Sequence, residues 1–240
     1  ATCSFGWSTA NGAVGVPLEK SLAVLSDDEP AGTGPWSFAQ LGVGQTVPYA
    51  EAMSAEFDAF RLSTTGDSMY YAKDDGTYLY RCVQGRTVEF TMTARFTGYA
   101  CDWTGAQTRI GLGVRDTLEN GSKGTYVSFH GFDGTSPNRR LTYYCDLDSS
   151  GNLNIEGDAS KFVTSGWNSL PIWMRVTRTN VAGGRHRYVF EYSHDGEDWP
   201  VSRTQEVSRA TTSYVGVLAM PSSYSGTMPL TVNVDNLTYS

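Results

Sequence analysis

Any chemistry in this chain would have to come from its carboxylates, its three histidines or its arginines. Glu89 and Glu191 each fall in an alternating segment, "TVEFTMTARF" (87–96) and "HRYVFEYS" (186–193). A glycosidase built on a sheet needs two carboxyl groups on one face, one to protonate the leaving group and one as nucleophile or base. The E-x-D-x-x-E triplet that supplies such a pair from one strand is absent, and Glu89 has no acid two or four residues further on. Asp195 and Glu197 flank a turn, where solvated charge is expected. A polysaccharide lyase needs a Tyr or His base beside a cation that neutralises a carboxylate. His130, Tyr126 and Arg115 supply those residue types without a spacing that joins them. A nucleophile elbow, a phosphate-binding loop and a dinucleotide fingerprint are all missing. No catalytic residue is assigned.

Metal chemistry finds equally little. Cys3, Cys82, Cys101 and Cys145 form no C-x-x-C and have no His at zinc spacing. Four cysteines allow three full pairings, which sequence cannot choose between. One or two disulfides in an exported protein is the expectation, with four buried thiols as the alternative. No cofactor is required. Structural calcium is the one ion the loops would suit, at "SDDE" (26–29), "KDDG" (73–76) or Asp235. Solvated acidic turns explain the same residues.

The residues that stand out are those set opposite apolar neighbours by strict alternation. In "PIWMRVTR" (171–178), Ile172, Met174 and Val176 face one way while Trp173 and Arg175 face the other. The same reading of other segments adds Arg95, Arg109, Arg115, Tyr126, His130, Arg140 and Tyr144. If these strands share a sheet, they form a shallow groove with ring platforms and guanidinium forks. Sugars stack their C–H faces on aromatic rings, and guanidinium forks bind hydroxyls or a uronate carboxylate. Trp103, in the loop "CDWTG", is a further candidate. Each of these side chains has a plainer explanation: Trp173 capping the core, Arg175 paired with a nearby acid. The aromatic segment "SMYYAKDDGTYLYR" (68–81) either walls one end with Tyr71, Tyr78 and Tyr80 or merely pairs its rings across strands.

The elements that must position these residues are strands. "TRIGLGVRD" (108–116), "TYVSFHGF" (125–132), "RRLTYYCDL" (139–147), "SYVGVLAM" (213–220) and "LTVNVDNLTY" (230–239) alternate as the three segments above do. Between them lie the turn clusters "ENGSKG", "DSSGN", "NVAGG" and "SHDGEDW". Glycine-bearing "DDG" (74–76) and "HDG" (194–196) predict hairpin turns. "PYAEAMSAEFDAF" (48–60) reads either as a short helix or as a bulged strand. Short strands at this spacing predict an all-β, two-sheet antiparallel β-sandwich. The 240 residues then make a single domain (1–240), with 1–35 as an irregular N-terminal segment packed on it. A formal charge of -7 argues against nucleic acid as partner. No apolar run approaches the roughly 18 residues of a membrane span.

The order of motifs resembles one group of concanavalin/laminin-G-like modules over about residues 86 to 240. The segments that carry the resemblance are "IGLGVRDTLENGSKGTYVSF", "LPIWMRVTRTN", "RYVFEYSHDGEDW", "YVGVLAM" and a final "VDNL". "WSFAQLG" (36–42) is similar to the group's opening strand. The resemblance implies a concanavalin-like jelly roll of the kind appended to secreted bacterial enzymes that degrade polysaccharides. By that analogy the expected function is non-catalytic binding of a plant cell-wall type polysaccharide on the concave sheet. Catalysis would belong to another domain of the same polypeptide, and the module would be a secreted monomer. Arg115, Asp116, Trp173, Arg175, Arg178 and Trp199 match the group's motifs position by position. "CDWTGAQTR" and "FHGFDGTSPNRR" depart from them, and specificity is expected there. Two other readings use the same fold: a lyase or hydrolase, and a laminin-G-like adhesion module binding protein or host glycan.

Overall fold

The computed structural model describes residues 36–42, 47–48, 51–56, 59–65, 76–101, 108–119, 122, 124–131, 140–145, 170–208, 210–221 and 229–240. The N-terminal segment 1–35, Trp103, the pair Asp74–Asp75 and the "SDDE" run lie outside the described residues. Thirteen strands are described: β1 (Ser37–Leu41), β2 (Met53–Glu56), β3 (Ala59–Thr64), β4 (Gly76–Gln84), β5 (Phe90–Cys101), β6 (Thr108–Arg115), β7 (Gly124–Gly131), β8 (Arg140–Cys145), β9 (Ile172–Val181), β10 (Arg185–Ser193), β11 (Val201–Val207), β12 (Thr212–Met220) and β13 (Leu230–Tyr239). They pair into a six-stranded sheet, β1-β4-β12-β6-β7-β8, and a seven-stranded sheet, β11-β10-β9-β5-β13-β3-β2, with every pairing antiparallel. The fold is therefore the two-sheet antiparallel β-sandwich expected from the periodicity. No helix among the described residues is long and apolar enough to cross a membrane.

Alternation explains how the sheets meet. Phe90, Met92, Ala94 and Phe96 of β5, with Ile172, Met174 and Val176 of β9, point inward from the seven-stranded sheet. Ile110, Leu112 and Val114 of β6, with Val215, Val217 and Ala219 of β12, meet them from the other side. All are buried, and such packing of two apolar faces supplies most of the driving force for folding. A second apolar cluster, Leu41, Tyr78, Leu218 and Met220, lies on the opposite side of the six-stranded sheet, with Tyr80, Leu118 and Tyr214 packed against it. The Tyr78 hydroxyl lies 2.8 Å from both the Gly113 and the Tyr214 carbonyl and shares its one proton between them, so its polar end is anchored in the sheet itself. β12 runs so close to β4 that a Cβ at Gly216 would lie 2.0 Å from the Leu79 carbonyl oxygen.

Four details differ from, or decide between, the sequence expectations. The 48–60 segment contains no helix of useful length among its described residues; β2 and β3 pair as strands, and Phe60 joins the core. The edge strand β11 carries no clean alternation and was not anticipated. Tyr78 and Tyr80 stack along β4 at 5.7 Å, and Tyr80 meets Tyr214 of β12 edge-on at 5.4 Å, so the cross-strand pair is Tyr80–Tyr214. Tyr71 lies outside the described residues. Cys82 on β4 is disulfide-bonded, which takes that residue out of the buried-thiol alternative.

Candidate functional site

The expected common trough does not exist. Arg95, Trp173 and Arg175 stand on β5 and β9 of the seven-stranded sheet. Arg109, Arg115, Tyr126, His130, Arg140 and Tyr144 stand on β6, β7 and β8 of the other. The reason is geometric. Alternation states only that a side chain points away from the core, and two sheets that share a core have outward faces on opposite sides of the molecule.

On the seven-stranded sheet, Ser193, Trp173, Arg95 and Asp235 lie in one register row across β10, β9, β5 and β13. Arg95 Nε donates to Asp235 Oδ1 at 2.7 Å, and its Nη2 binds Oδ2, a bidentate fork. The same guanidinium lies 5.5 Å from the Trp173 ring centre. The next row pairs Glu191 with Arg175 and Thr93. Arg175 Nε donates to Glu191 Oε2 at 2.7 Å, and its guanidinium sits 4.0 Å over the ring of Trp199. The guanidinium of each row thus has a carboxylate and an indole against it, Trp173 from the first row itself and Trp199 from the segment between β10 and β11. Arg95 draws the Asp235 carboxyl below its ordinary range, with Asn236 adding a second donor. A bulge in β13 next to Asp235, with Asn236 at φ 47, interrupts the ladder there.

The hairpin after β10 presses on this face. Ser193 Oγ accepts the backbone N–H groups of Asp195 and Gly196 and donates to Asp195 Oδ1, which in turn accepts the N–H groups of Glu197 and Asp198. These bonds hold the Asp195 carboxyl below its usual value, the Glu197 amide first among them. Gly196 adopts φ +83, and a Cβ there would meet Trp173 Cε2 at 2.9 Å. The turn backbone therefore rests on the indole, as the expected "HDG" hairpin allows. Glu89, considered as an acid above, accepts the Asn180 backbone N–H at 2.8 Å beside the 3-10 turn Ala182–Gly184.

Arg115 corrects the sequence expectation outright. It is 0% exposed, with Nε donating to the Thr117 carbonyl at 3.1 Å and Nη2 to the Glu119 carbonyl at 2.9 Å. Ser122 Oγ accepts the Thr117 N–H at 2.9 Å and closes the same loop. The guanidinium is a clasp for the loop after β6 and has no face to offer a sugar. Asp235, a calcium candidate, is committed to Arg95. Among the described residues no group of three or more His, Cys, Asp and Glu is gathered to hold a metal.

On β6, β7 and β8 the backbone register sets Arg109, His130 and Arg140 in one row. Tyr126 and Tyr144 form another, opposite Gly113. Among the expected residues, these four from β7 and β8, with Arg109 of β6, are the ones that neighbouring strands bring together on this sheet. The signal that separates them from Trp173 and Arg175 is topology, which alternation alone does not carry.

No protein-family model matches the chain, and no curated protein matches it. Among solved structures, a functionally unknown protein from Saccharomyces cerevisiae is similar at 17% identity and a TM-score of 0.59, covering 85% of this chain and 95% of that one. The exoplasmic/lumenal domain of VIP36, in a form bound to Ca2+ and Man3GlcNAc, gives 11% identity, 85% and 84% coverage and a TM-score of 0.44. An alginate lyase, Aly36B, in complex with alginate trisaccharide, gives 9% identity, 78% and 83% coverage and a TM-score of 0.47. The first of these likenesses bears on the fold, and it extends over most of both chains.

Proposed function

We propose that this protein is a non-catalytic carbohydrate-binding module whose sugar face is the outward side of β6, β7 and β8. The observation that carries the reading is the register: Arg109–His130–Arg140 in one row and Tyr126–Tyr144 in another, on three adjacent strands. Rings supply stacking surfaces and the Arg/His row supplies donors for hydroxyls, which is the division of labour a sugar site needs. The rival face on the seven-stranded sheet spends its guanidiniums and carboxylates on each other, which lowers what it can offer a ligand. The ligand class is a plant cell-wall type polysaccharide or an oligosaccharide of it. The module acts as a secreted monomer joined to a catalytic domain of the same parent polypeptide. Tethering of that kind raises the effective concentration of enzyme at an insoluble substrate.

Carboxylate placement supports the non-catalytic reading. Glu191 on β10 and Asp235 on β13 are three strand spacings apart, roughly 14 Å at the usual interstrand distance. That exceeds the ~9.5 Å upper limit for a hydrolytic pair. A lyase remains the second reading, because the register flanks His130 with Arg109 and Arg140, a base between two cations. One experiment addresses both readings: a glycan array of neutral β-glucans and pectins, followed by incubation with each polysaccharide that binds. Retention without reducing ends or unsaturated products is the expected result. Turnover would replace the module with the lyase, and a silent array would remove the sugar face altogether.

A further inference from the structure

The end of the sandwich where β4, β9 and β13 finish is lined by polar groups rather than by the apolar residues that fill the rest. Arg178 of β9 points inward and is 0% exposed. Its Nη2 is held by the Gly85 and Arg86 carbonyls, both at 3.1 Å, and by His186 Nε2 at 2.7 Å. The same His186 Nε2 lies 3.0 Å from the Arg86 carbonyl, so an imidazole and two carbonyls crowd one nitrogen of the guanidinium. Among the described residues the Nε and Nη1 atoms of Arg178 make no hydrogen bond, and no carboxylate is paired with it.

A second buried cation stands nearby across the sheets. Phe90 and Tyr239 stack at 5.5 Å; Arg178 lies 6.0 Å from the Phe90 ring and Arg81, 2% exposed, lies 4.9 Å from the Tyr239 ring. Burial raises the Tyr239 phenol, so it stays neutral at ordinary pH and supplies no charge. Desolvation lowers both arginines, yet a guanidinium starts too high to lose its proton near neutrality. Ring faces and carbonyl dipoles stabilise a cation partially. A buried charge such as that of Arg178 remains costly without a countercharge. Gly85, whose carbonyl Arg178 binds, also lines a pocket of about 500 Å³ with Gln84, Thr211 and Thr212, so solvent space reaches the same turn.

We propose that this end of the sandwich holds a small inorganic anion, chloride in an ordinary saline medium, against the Nε or Nη1 donors of Arg178. The anion completes the hydrogen bonding of a buried guanidinium and offsets its charge, and it is a structural ligand independent of any sugar face.

Bromide is the probe, since it replaces chloride and scatters anomalously. Crystals of the intact chain exchanged into bromide are expected to show an anomalous peak within hydrogen-bond reach of Arg178 Nε or Nη1. In solution, the melting temperature is expected to rise saturably with bromide but not with gluconate at equal ionic strength. Arg178→Met, which keeps the side-chain volume and removes the charge, should lose that difference. A wild-type crystal with only water or nothing at Arg178, or melting curves that respond equally to bromide and gluconate, would overturn the proposal. The crystal result stands on the wild-type chain, so it decides the matter even where the variant fails to fold.

Discussion

On the seven-stranded sheet the outward side chains close on one another, while on β6, β7 and β8 the backbone register lines up arginine, histidine and tyrosine positions. Arg95 and Arg175 each have a carboxylate and an indole of their own. A face satisfied in this way contributes stability and a defined shape. It retains few donors for a ligand, and the Gly196 turn already rests on Trp173. The other sheet differs again along its width: toward β1, β4 and β12 it carries the apolar cluster of Leu41, Tyr78, Leu218 and Met220. The comparison teaches that an exposed Trp or Arg is informative about ligands only after its protein partners have been counted. Substitutions should therefore divide into those that lower stability and those that lower binding.

The largest expected effect is at Arg115, which sequence alternation places on the presented face and the structure buries. Arg115→Ala leaves the Thr117 and Glu119 carbonyls without their donor and opens a cavity under the loop. The expected loss is about 3 kcal/mol or more, because a buried, hydrogen-bonded charge is among the costliest groups to delete. In a chain of this size that lowers the melting temperature by roughly 6–12 °C. Calorimetry reads it. An unchanged melting temperature with lost glycan retention would restore Arg115 to the sugar face.

Next come Trp173 and Gly196, which test the closed face directly. Trp173→Ala removes the surface on which both the turn and Arg95 rest, for an expected loss of about 2 kcal/mol. Gly196→Ala forces a Cβ against the indole at a φ of +83 and should cost a similar amount, about 2 kcal/mol. Neither should change glycan retention in an affinity gel, measured well below the melting transition. If Trp173→Ala instead weakens retention while leaving the melting temperature alone, the two faces exchange roles.

Much of this architecture was legible in the residues. Strict alternation placed β5, β6, β9, β10, β12 and β13 because one face of each is mainly apolar, with Arg178 of β9 and His186 of β10 as buried polar members. β11, "VSRTQEV", escaped because this edge strand, which buries Gln205 alone among its described side chains, has no apolar stripe to read. The site was less legible, and for a definite reason. Period two fixes the inward and outward sides of a strand, whereas sheet membership depends on long-range pairing, and here β9 pairs with β5 and β10 rather than with β6 or β7. The motif positions shared with the resembled group tell the same story. Arg115 clasps a loop, Arg178 holds the Gly85 turn, and Ser193 with Asp195 folds the hairpin. Motif order reported the scaffold, and it did so because those residues build it.

A smaller effect is expected where binding is proposed. Tyr144→Ala and His130→Ala should each weaken polysaccharide binding about tenfold, or about 1.4 kcal/mol, the scale of one stacking or polar contact to a sugar. Their melting temperatures should stay close to that of the parent chain. Affinity electrophoresis against the polysaccharide chosen by the array, paired with thermal melts, separates the two quantities. Variants that bind normally would move the sugar face elsewhere, with "CDWTGAQTR" and "FHGFDGTSPNRR" as the next segments to alter.

The smallest expected effect sharpens what the closed face is worth. Arg95 and Asp235 form a partly exposed ion pair, so their coupling should be below about 1 kcal/mol in a double-mutant cycle with Arg95→Met and Asp235→Asn. The sign with pH follows from Asp235, whose carboxyl titrates lower in the folded chain than its ordinary value near 3.8. A group depressed on folding contributes its stability in full above the unfolded value, and loses it as the pH falls through the folded one. The coupling should therefore be constant from neutrality to about pH 5 and fade below about pH 4, and added salt should shrink it throughout. Denaturant unfolding of the four cycle members across that range reads the term directly. A coupling that persists below the folded value would mean that Arg95 is held by Trp173 and the sheet rather than by the carboxylate. The two rows would then be aromatic clasps first and ion pairs second.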